Sequence, residues 1–203
     1  KKIWFTIHSK ITGLTFDRKI PIGNFLTLNL AENKIGDEGA KLLAEALKLN
    51  STLTTLYLSG NEIGAEGSKL LANALKDNST LTSVLLWCNK IGKEGGKSLG
   101  DALKDNNTLT GSRIFLGKSR LRSSRKIPIG NFLTLHLGST QIEAEGARSL
   151  GNALKNNITL TQLDLISNYI GNEGAKSLGE ALKDNSTLTT LILGYNQIGD
   201  EGA

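Results

Sequence analysis

A histidine and an aspartate in this 203-residue chain have the spacing that acid–base chemistry would need. His136 and Asp164 lie 28 positions apart, and each stands between two leucines, a pattern typical of a short strand with one buried face. On neighbouring parallel strands the two side chains would lie about 5 Å apart, and an aspartate there can orient a histidine as a general base. No nucleophile has a matching position, so we interpret the pair as a polar contact on a binding surface and predict no enzymatic activity.

Two other stretches resemble functional motifs, and repetition explains both of them. The stretch GKEGGKS (Gly92–Ser98) is similar to a phosphate-binding loop, but that loop needs four residues between its first glycine and the Gly-Lys pair. Asn-x-Ser/Thr sequons, which would indicate glycosylation, share one place at the end of each predicted helix: Asn50, Asn78, Asn106, Asn157 and Asn185. We interpret these asparagines as residues with a backbone role, since asparagine tolerates the left-handed conformation found at helix ends.

The composition of the chain argues against several classes of function. The chain is 38% hydrophobic and 21% charged, and it has no apolar run long enough for a membrane-spanning helix. Two histidines and one cysteine argue against a metal site, and no cofactor motif is present. The net charge of +5 is concentrated in irregular segments, chiefly Arg113–Lys126. We interpret such a basic run as a solvated loop, with binding to nucleic acid or an anionic surface as the alternative.

The dominant feature of the sequence is a repeat of 28 residues. One unit runs from Leu53 to Thr80 and reads LTTLYLSGNEIGAEGSKLLANALKDNST, and the next runs from Leu81 to Thr108. In each unit a two-residue alternation predicts a strand, an asparagine follows it, and an isoleucine two places on enters the core. A G-x-E-G turn then leads into a helix with one apolar stripe. A single unit cannot bury both its strand and its helix, so the units must stack.

The pattern LxxLxLxxNxIGxEGAxxLxxALxxNxT resembles the leucine-rich repeat of the ribonuclease-inhibitor type. The resemblance implies an α/β horseshoe solenoid, with a parallel β-sheet on the concave face and helices on the convex face. It also implies a protein-binding function. Similar repeats occur in the sensor regions of NOD-like immune receptors and in activators of the Ran GTPase.

The repeats fall into two blocks, residues 23–108 and 130–203, separated by an irregular segment. Residues 1–22 are predicted to be irregular or a degenerate repeat, and residues 109–129 a degenerate, shortened repeat with a basic linker. Thr140 takes the asparagine place in the second block. The stretch RKIPIGNFLTL occurs at Arg18–Leu28 and again at Arg125–Leu135, which marks a module boundary. The chain lacks methionine and stops inside a repeat, so we expect it to be part of a longer protein.

The strand residues that point away from the core provide the candidate binding site. Several are large and apolar or aromatic, and clusters of such residues on a surface mark interaction sites. We predict a partner-binding surface on the concave face formed by Asn29, Tyr57, Leu85, Trp87, His136, Asp164, Ile166, Ile192 and Tyr195.

The sequence therefore predicts a monomeric, cytoplasmic protein-interaction module with no cofactor, such as the sensor region of a NOD-like receptor. Two alternatives stay open. One is a fragment of a Ran-type GTPase activator, and the other is a binder of nucleic acid or anionic surfaces through the basic segments. The sequence does not identify the partner.

Overall fold

A computed structural model describes residues 4–11, 14–21, 26–105 and 134–203, with only the backbone described for the first two ranges. Eight strands and five helices are present in these ranges. The strands are β1 Trp4–Ile11, β2 Leu14–Pro21, β3 Thr27–Asn29, β4 Thr55–Tyr57, β5 Ser83–Leu85, β6 Thr134–His136, β7 Gln162–Asp164 and β8 Thr190–Ile192. The helices are α1 Gly36–Leu49, α2 Ala65–Asp77, α3 Gly92–Asp105, α4 Glu143–Leu154 and α5 Gly171–Asp184.

The strands form two separate sheets. Strands β3 to β8 lie side by side in chain order and pair in parallel, whereas β1 and β2 form a two-stranded antiparallel sheet of their own. Each helix follows its strand and packs against the next helix along the chain. Because packed helices are 8–10 Å apart and paired strands about 4.8 Å apart, the stack curves with its strands on the inside. The predicted α/β leucine-rich-repeat solenoid is confirmed.

The core lies between the strand layer and the helix layer, and the repeat positions supply it. In the unit of β4 and α2, the buried side chains include Leu56 from the strand, Leu58 and Ile63 from the segment after it, and Leu71 and Leu75 from the helix. Burial of each such side chain contributes roughly 1.5–3 kcal/mol. The isoleucines are fully buried in the four inner units, so the predicted role of this position in the core is confirmed.

An asparagine side chain after most strands of the parallel sheet ties neighbouring units together. The Asn89 amide nitrogen donates to the carbonyl oxygens of Leu58 and Leu86 at 2.9 and 2.8 Å. Its side-chain oxygen accepts hydrogen bonds from the backbone nitrogens of Asn61 and Ile63. We call the series formed by this position the asparagine ladder: Asn33, Asn61, Asn89, Thr140, Asn168 and Asn196. The loops around it are tight, and several residues there have a positive φ, including Glu62 and Cys88.

The asparagines at the helix ends form a second set of bridges. Asn78 donates to the carbonyl oxygen of Leu47 in the preceding unit and accepts hydrogen bonds from the backbone nitrogens of Thr80 and Leu81. These asparagines do not use the left-handed conformation that asparagine tolerates at helix ends: Asn50, Asn78 and Asn185 are all extended, with φ between −80° and −89°. The side chain itself binds the helix end and the following turn, so no left-handed residue is needed.

The sheet continues across the break in the repeat pattern. Strand β5 pairs directly with β6, in the register Val84 to Leu135, and α3 packs against α4. The helix-end bridge also persists, since Asn157 donates to the carbonyl oxygen of Leu103. Residues 109–129, predicted as a degenerate repeat, lie outside the described residues. The stack on either side of them is therefore one solenoid.

Candidate functional site

The concave face consists of three rows of side chains that point away from the core. Parallel pairing brings equivalent residues of successive strands side by side. The first row contains Thr27, Thr55, Ser83, Thr134, Gln162 and Thr190, and the second contains Asn29, Tyr57, Leu85, His136, Asp164 and Ile192. The third row, two residues further along each unit, contains Ala31, Ser59, Trp87, Gly138, Ile166 and Gly194.

Most of the residues predicted for the binding surface lie on this face. The second row is in the predicted register throughout, and Trp87 and Ile166 lie beside it in the third row. Tyr195 is outside the rows, in the loop after β8, where it has a positive φ and is 86% exposed. Asp164 is buried, with only 5% of its side chain exposed, so it can affect a partner only through its neighbours.

His136 and Asp164 are neighbours, as the 28-residue spacing predicts. The His136 Nδ1 atom lies 3.5 Å from Asp164 Oδ2, but this nitrogen is buried and makes no hydrogen bond within the described residues. The other carboxylate oxygen, Oδ1, accepts a hydrogen bond from the backbone nitrogen of Ile166 at 3.0 Å. Asp164 thus stabilises the turn after β7 and stands beside the imidazole. The pair faces an open surface, and this geometry suits positioning of the histidine ring on a binding surface.

Trp87 is half-exposed but held on several sides. Its indole ring meets the His136 ring edge to face, with ring centroids 5.9 Å apart and planes at 64°. A Cβ atom placed on Gly138 would lie 3.5 Å from Trp87 ring atoms and 2.8 Å from Ile166 Cγ2. The absence of a side chain at Gly138 therefore leaves room for both Trp87 and Ile166 beside its backbone. Contacts of this kind reduce the conformational freedom that an aromatic side chain loses on binding.

The concave face is almost free of charge. Among the eighteen residues of the three rows, Asp164 is the only acidic side chain, and none is lysine or arginine. In the described repeat units, the other charged side chains are on the helices and on the loops beside the strands, where Lys90 and Glu62 form an exposed ion pair at 3.3 Å. A partner on the concave face would meet hydroxyl, amide, aromatic and aliphatic groups.

The first row was missed by the sequence analysis. Thr27, Thr55, Ser83, Thr134, Gln162 and Thr190 offer hydrogen-bonding groups along one side of Trp87 and Tyr57. The same two-residue alternation that identifies the second row also predicts this one, since each member stands two positions before it. Exposed large apolar residues indicate a binding surface, whereas exposed hydroxyl and amide side chains are common everywhere on protein surfaces and do not by themselves indicate one.

The other motifs of the sequence have structural explanations or lie outside the described residues. Asn50, Asn78 and Asn157 are buried, and the amide nitrogens of Asn78 and Asn157 bind backbone carbonyls, so a sugar has no access to them. The stretch GKEGGKS forms the first half of α3. Among the described residues, no group of three or more His, Cys, Asp or Glu side chains could hold a metal ion. No described helix is long and apolar enough to cross a membrane. The basic stretch Arg113–Lys126 falls outside the description.

Comparison with known proteins agrees with this architecture. Six segments, which together span more than half of the chain, match the Leucine Rich repeat family: residues 24–44, 49–72, 77–100, 131–151, 156–179 and 184–203. No curated protein matches the sequence. Among solved structures, the chain is similar to actin-binding site 2 of leiomodin-1, with 19% sequence identity and a TM-score of 0.45. That match covers 83% of this chain and 69% of the leiomodin-1 chain.

Proposed function

Because the chain belongs to the leucine-rich repeat family, whose members are typically non-enzymatic interaction modules, we propose that it binds a protein partner on its concave face. The contact is centred on Trp87, with Tyr57, Leu85 and Ile166 around it. The first row of hydroxyl and amide groups provides hydrogen bonds along one side. The module needs no cofactor and acts as a monomer.

One observation supports this proposal above the others, namely the environment of Trp87. Trp87 is 40% exposed just after β5, yet its ring meets the His136 ring edge to face and lies over Gly138. Tryptophan is among the residues that dominate binding energy at protein interfaces. Since its neighbours already restrict the ring, little entropy remains to be lost when a partner covers it.

The charge distribution favours a protein partner over nucleic acid. Binding to a phosphate backbone depends on lysine and arginine side chains, and the three rows of the concave face have none. The alternative of nucleic-acid or anionic-surface binding would rest chiefly on the basic stretch Arg113–Lys126, which lies outside the described residues. We therefore expect partner binding to depend only weakly on salt, because few ion pairs would form.

The parent protein is proposed from the repeat sequence. The G-x-E-G turn and the A-L helix stripe resemble repeats of the ribonuclease-inhibitor type, and we place the module in the sensor region of a cytoplasmic NOD-like receptor. The single cysteine, Cys88, is compatible with a reducing compartment. A Ran-type GTPase activator is the alternative, and it predicts stimulated GTP hydrolysis when the chain is mixed with a loaded GTPase.

The binding site is tested by replacing Trp87. A partner is captured on the immobilised chain from cell extract, identified, purified and titrated against the wild-type chain and the Trp87→Ala variant by calorimetry. A central anchor should cost at least about 2 kcal/mol of binding free energy, or roughly thirty-fold in Kd. Titrations at low and high salt should give similar affinities for the wild-type chain.

Leu182 supplies a matched control. It lies on α5, on the helix side of the solenoid, and has the same exposed fraction as Trp87, 40%. Leu182→Ala should leave the Kd within about two-fold of the wild-type value, since isolated surface contacts contribute little. Equal losses in both variants, or a loss in the Leu182 variant alone, would place the partner elsewhere on the molecule.

A further inference from the structure

The asparagine ladder is interrupted at one place, between β5 and β6. At the other junctions an asparagine of one unit receives hydrogen bonds from two backbone nitrogens of the preceding unit and donates to one of its carbonyls. Asn89 does this between β4 and β5, and Asn196 does it between β7 and β8. Thr140 stands at the position that would join β5 to β6.

Thr140 cannot replace the asparagine because its side chain is shorter and has a single donor. Its hydroxyl lies within hydrogen-bond distance of the Leu137 carbonyl at 2.6 Å and of Asn168 Oδ1 at 3.0 Å, both on the β6 and β7 side. Among the described residues, no hydrogen bond joins the Thr140 side chain to Leu86, Asn89 or Ile91. The three side-chain bridges found at the other junctions are therefore missing here.

A second irregularity occurs in the same unit, three residues further along. Glu143 has a φ of 59°, at the position that Gly36, Gly92 and Gly171 occupy with φ between 60° and 65°. A left-handed conformation is free of steric cost for glycine but strained for glutamate. The loop that follows β6 keeps a backbone hydrogen bond from Gly92 to the Thr140 carbonyl, but it lacks the side-chain bridges to the β5 unit and is more strained than the loops of its neighbours.

The helix side of this junction is tightly packed. A Cβ atom on Gly96 would lie 3.3 Å from Gly146 Cα, and one on Gly100 would lie 2.9 Å from the Ser149 carbonyl oxygen. Lys93 also pairs with Glu145 across the two helices at 3.4 Å. The weak contacts are thus in the concave layer, and the close contacts are in the convex layer.

We infer that the β5–β6 junction is a hinge, at which the concave layer opens while α3 and α4 stay in contact. Opening there changes the curvature of the solenoid and separates Trp87 on one side from His136 and Ile166 on the other. The hinge divides residues 26–105 from residues 134–203 and passes beside Leu85 and Trp87 on the concave face. It gives this face an adjustable shape that a perfectly regular stack would lack.

Hydrogen exchange of single backbone amides tests the hinge in the full chain. The amides of Leu86 and Cys88 donate across β5–β6, to His136 and Gly138, and those of Leu58 and Gly60 donate across β4–β5, to Leu85 and Trp87. The first pair should exchange about ten-fold faster or more, because fewer bonds must break for the strands to separate. Equal protection of the two pairs would overturn the inference.

Two variants test whether the missing bridges of the asparagine ladder cause the faster exchange at β5–β6. Thr140→Asn should restore the bridges and slow exchange at Leu86 and Cys88 about ten-fold, with Leu58 and Gly60 unchanged. Asn168→Thr copies the irregularity to β6–β7 and should speed exchange of the Leu137 and Ser139 amides, which donate to Asp164 and Ile166. Unchanged rates at Leu86 and Cys88 in the Thr140→Asn variant would refute the hinge even if the second variant failed to fold.

Discussion

The β4–β5 and β5–β6 junctions have the same backbone pairing and different side-chain support. At β4–β5, Asn89 makes three hydrogen bonds to the preceding unit. At β5–β6, Thr140 makes none of these, although Leu86 and Cys88 still donate to the carbonyls of β6 and its loop. A sheet can therefore keep its register while losing the side chains that normally reinforce it.

The register of a junction and its strength depend on different residues of the same solenoid. Register depends on the alternating leucines, which are present in both junctions, because a shift by one residue would expose them. Strength depends on the asparagines, because each of them satisfies buried backbone groups of two units. One substitution in the ladder thus weakens a junction without changing the fold around it.

The largest expected effect comes from removing a regular member of the ladder. Asn89→Ala leaves the backbone nitrogens of Asn61 and Ile63 and the carbonyl of Leu58 without their partner, so we expect a loss of about 3–5 kcal/mol in the free energy of unfolding. Thr140→Ala should cost only about 1 kcal/mol, because its hydroxyl bonds do not reach β5. Urea unfolding followed by circular dichroism measures both. Equal losses would show that the two positions support the sheet alike.

A smaller loss of stability is expected from changes on the helix side. It tests whether α3 and α4 are packed as closely as α4 and α5. Gly100 and Gly151 occupy equivalent positions, and a Cβ atom on them would lie 2.9 and 2.8 Å from the backbone of the next helix. Each glycine-to-alanine change should cost about 1–3 kcal/mol.

Gly179, the third equivalent glycine, is the control for that pair. No described atom lies within 4 Å of its added Cβ, so Gly179→Ala should raise the free energy of unfolding by about 0.5–1 kcal/mol through helix propensity. If Gly100→Ala were also stabilising, the α3–α4 contact would be looser than its geometry indicates. Thermal and urea unfolding of the three variants decide this.

Relief of strain at Glu143 should stabilise the irregular junction. Glu143→Gly places a residue without a side chain at φ 59° and should raise the free energy of unfolding by about 1 kcal/mol. Glu143→Ala keeps the strain and removes the charge, so it should give no comparable gain. A similar gain in both variants would assign the effect to the carboxylate instead of the backbone.

The smallest effect is expected from the ion pairs between helices. Lys76 Nζ lies 2.9 Å from Asp105 Oδ2 across α2 and α3, and the hydrogen bond to Asp105 raises the pKa of Lys76 above its usual value of 10.5. Asp105→Asn should cost about 0.5 kcal/mol near neutral pH, because Asp105 is exposed and Lys76 is partly exposed, so water screens the pair.

The pH dependence of this pair has a defined sign. A raised lysine pKa stabilises the folded state below pH 10.5, and the contribution is lost as the pH rises through the folded-state pKa. The wild-type chain and the Asp105→Asn variant should therefore converge in stability at strongly alkaline pH. Urea midpoints measured at neutral and alkaline pH test it, and a difference that persisted after Lys76 loses its proton would have another origin.

The repeat positions were predictable because each has a single physical role. Leu56, Leu58 and Ile63 are buried as the alternation and the loop spacing require, and the helix stripe follows the period of the α-helix. The second row of the concave face was predictable for the same reason, since alternation places His136 beside Asp164. The burial of Asp164 was not, because it depends on a turn in which the carboxylate binds the Ile166 backbone.

The stretch RKIPIGNFLTL, which occurs twice, shows that strand formation depends on the local sequence whereas burial depends on the neighbouring strands. Its final Thr-Leu pair begins β3 in one copy and β6 in the other, so the same two residues form the same element twice. Leu28 is nevertheless 8% exposed in β3 and Leu135 only 1% exposed in β6, since β3 is at an edge of the sheet and β6 has a neighbour on each side. The local sequence chooses the strand, and the neighbours set its burial.

The sequence by itself determined the repeat, the layers and the rows of outward side chains, because these follow from periods of hydrophobicity along the chain. Only the tertiary structure decided that β5 and β6 are neighbours, that Trp87 packs over Gly138 against His136, and that Thr140 leaves the ladder incomplete. These contacts join residues about fifty positions apart across an irregular stretch. Their geometry depends on the length of each side chain and on its distance from its neighbours, and the periodicity of the sequence contains no information about these distances.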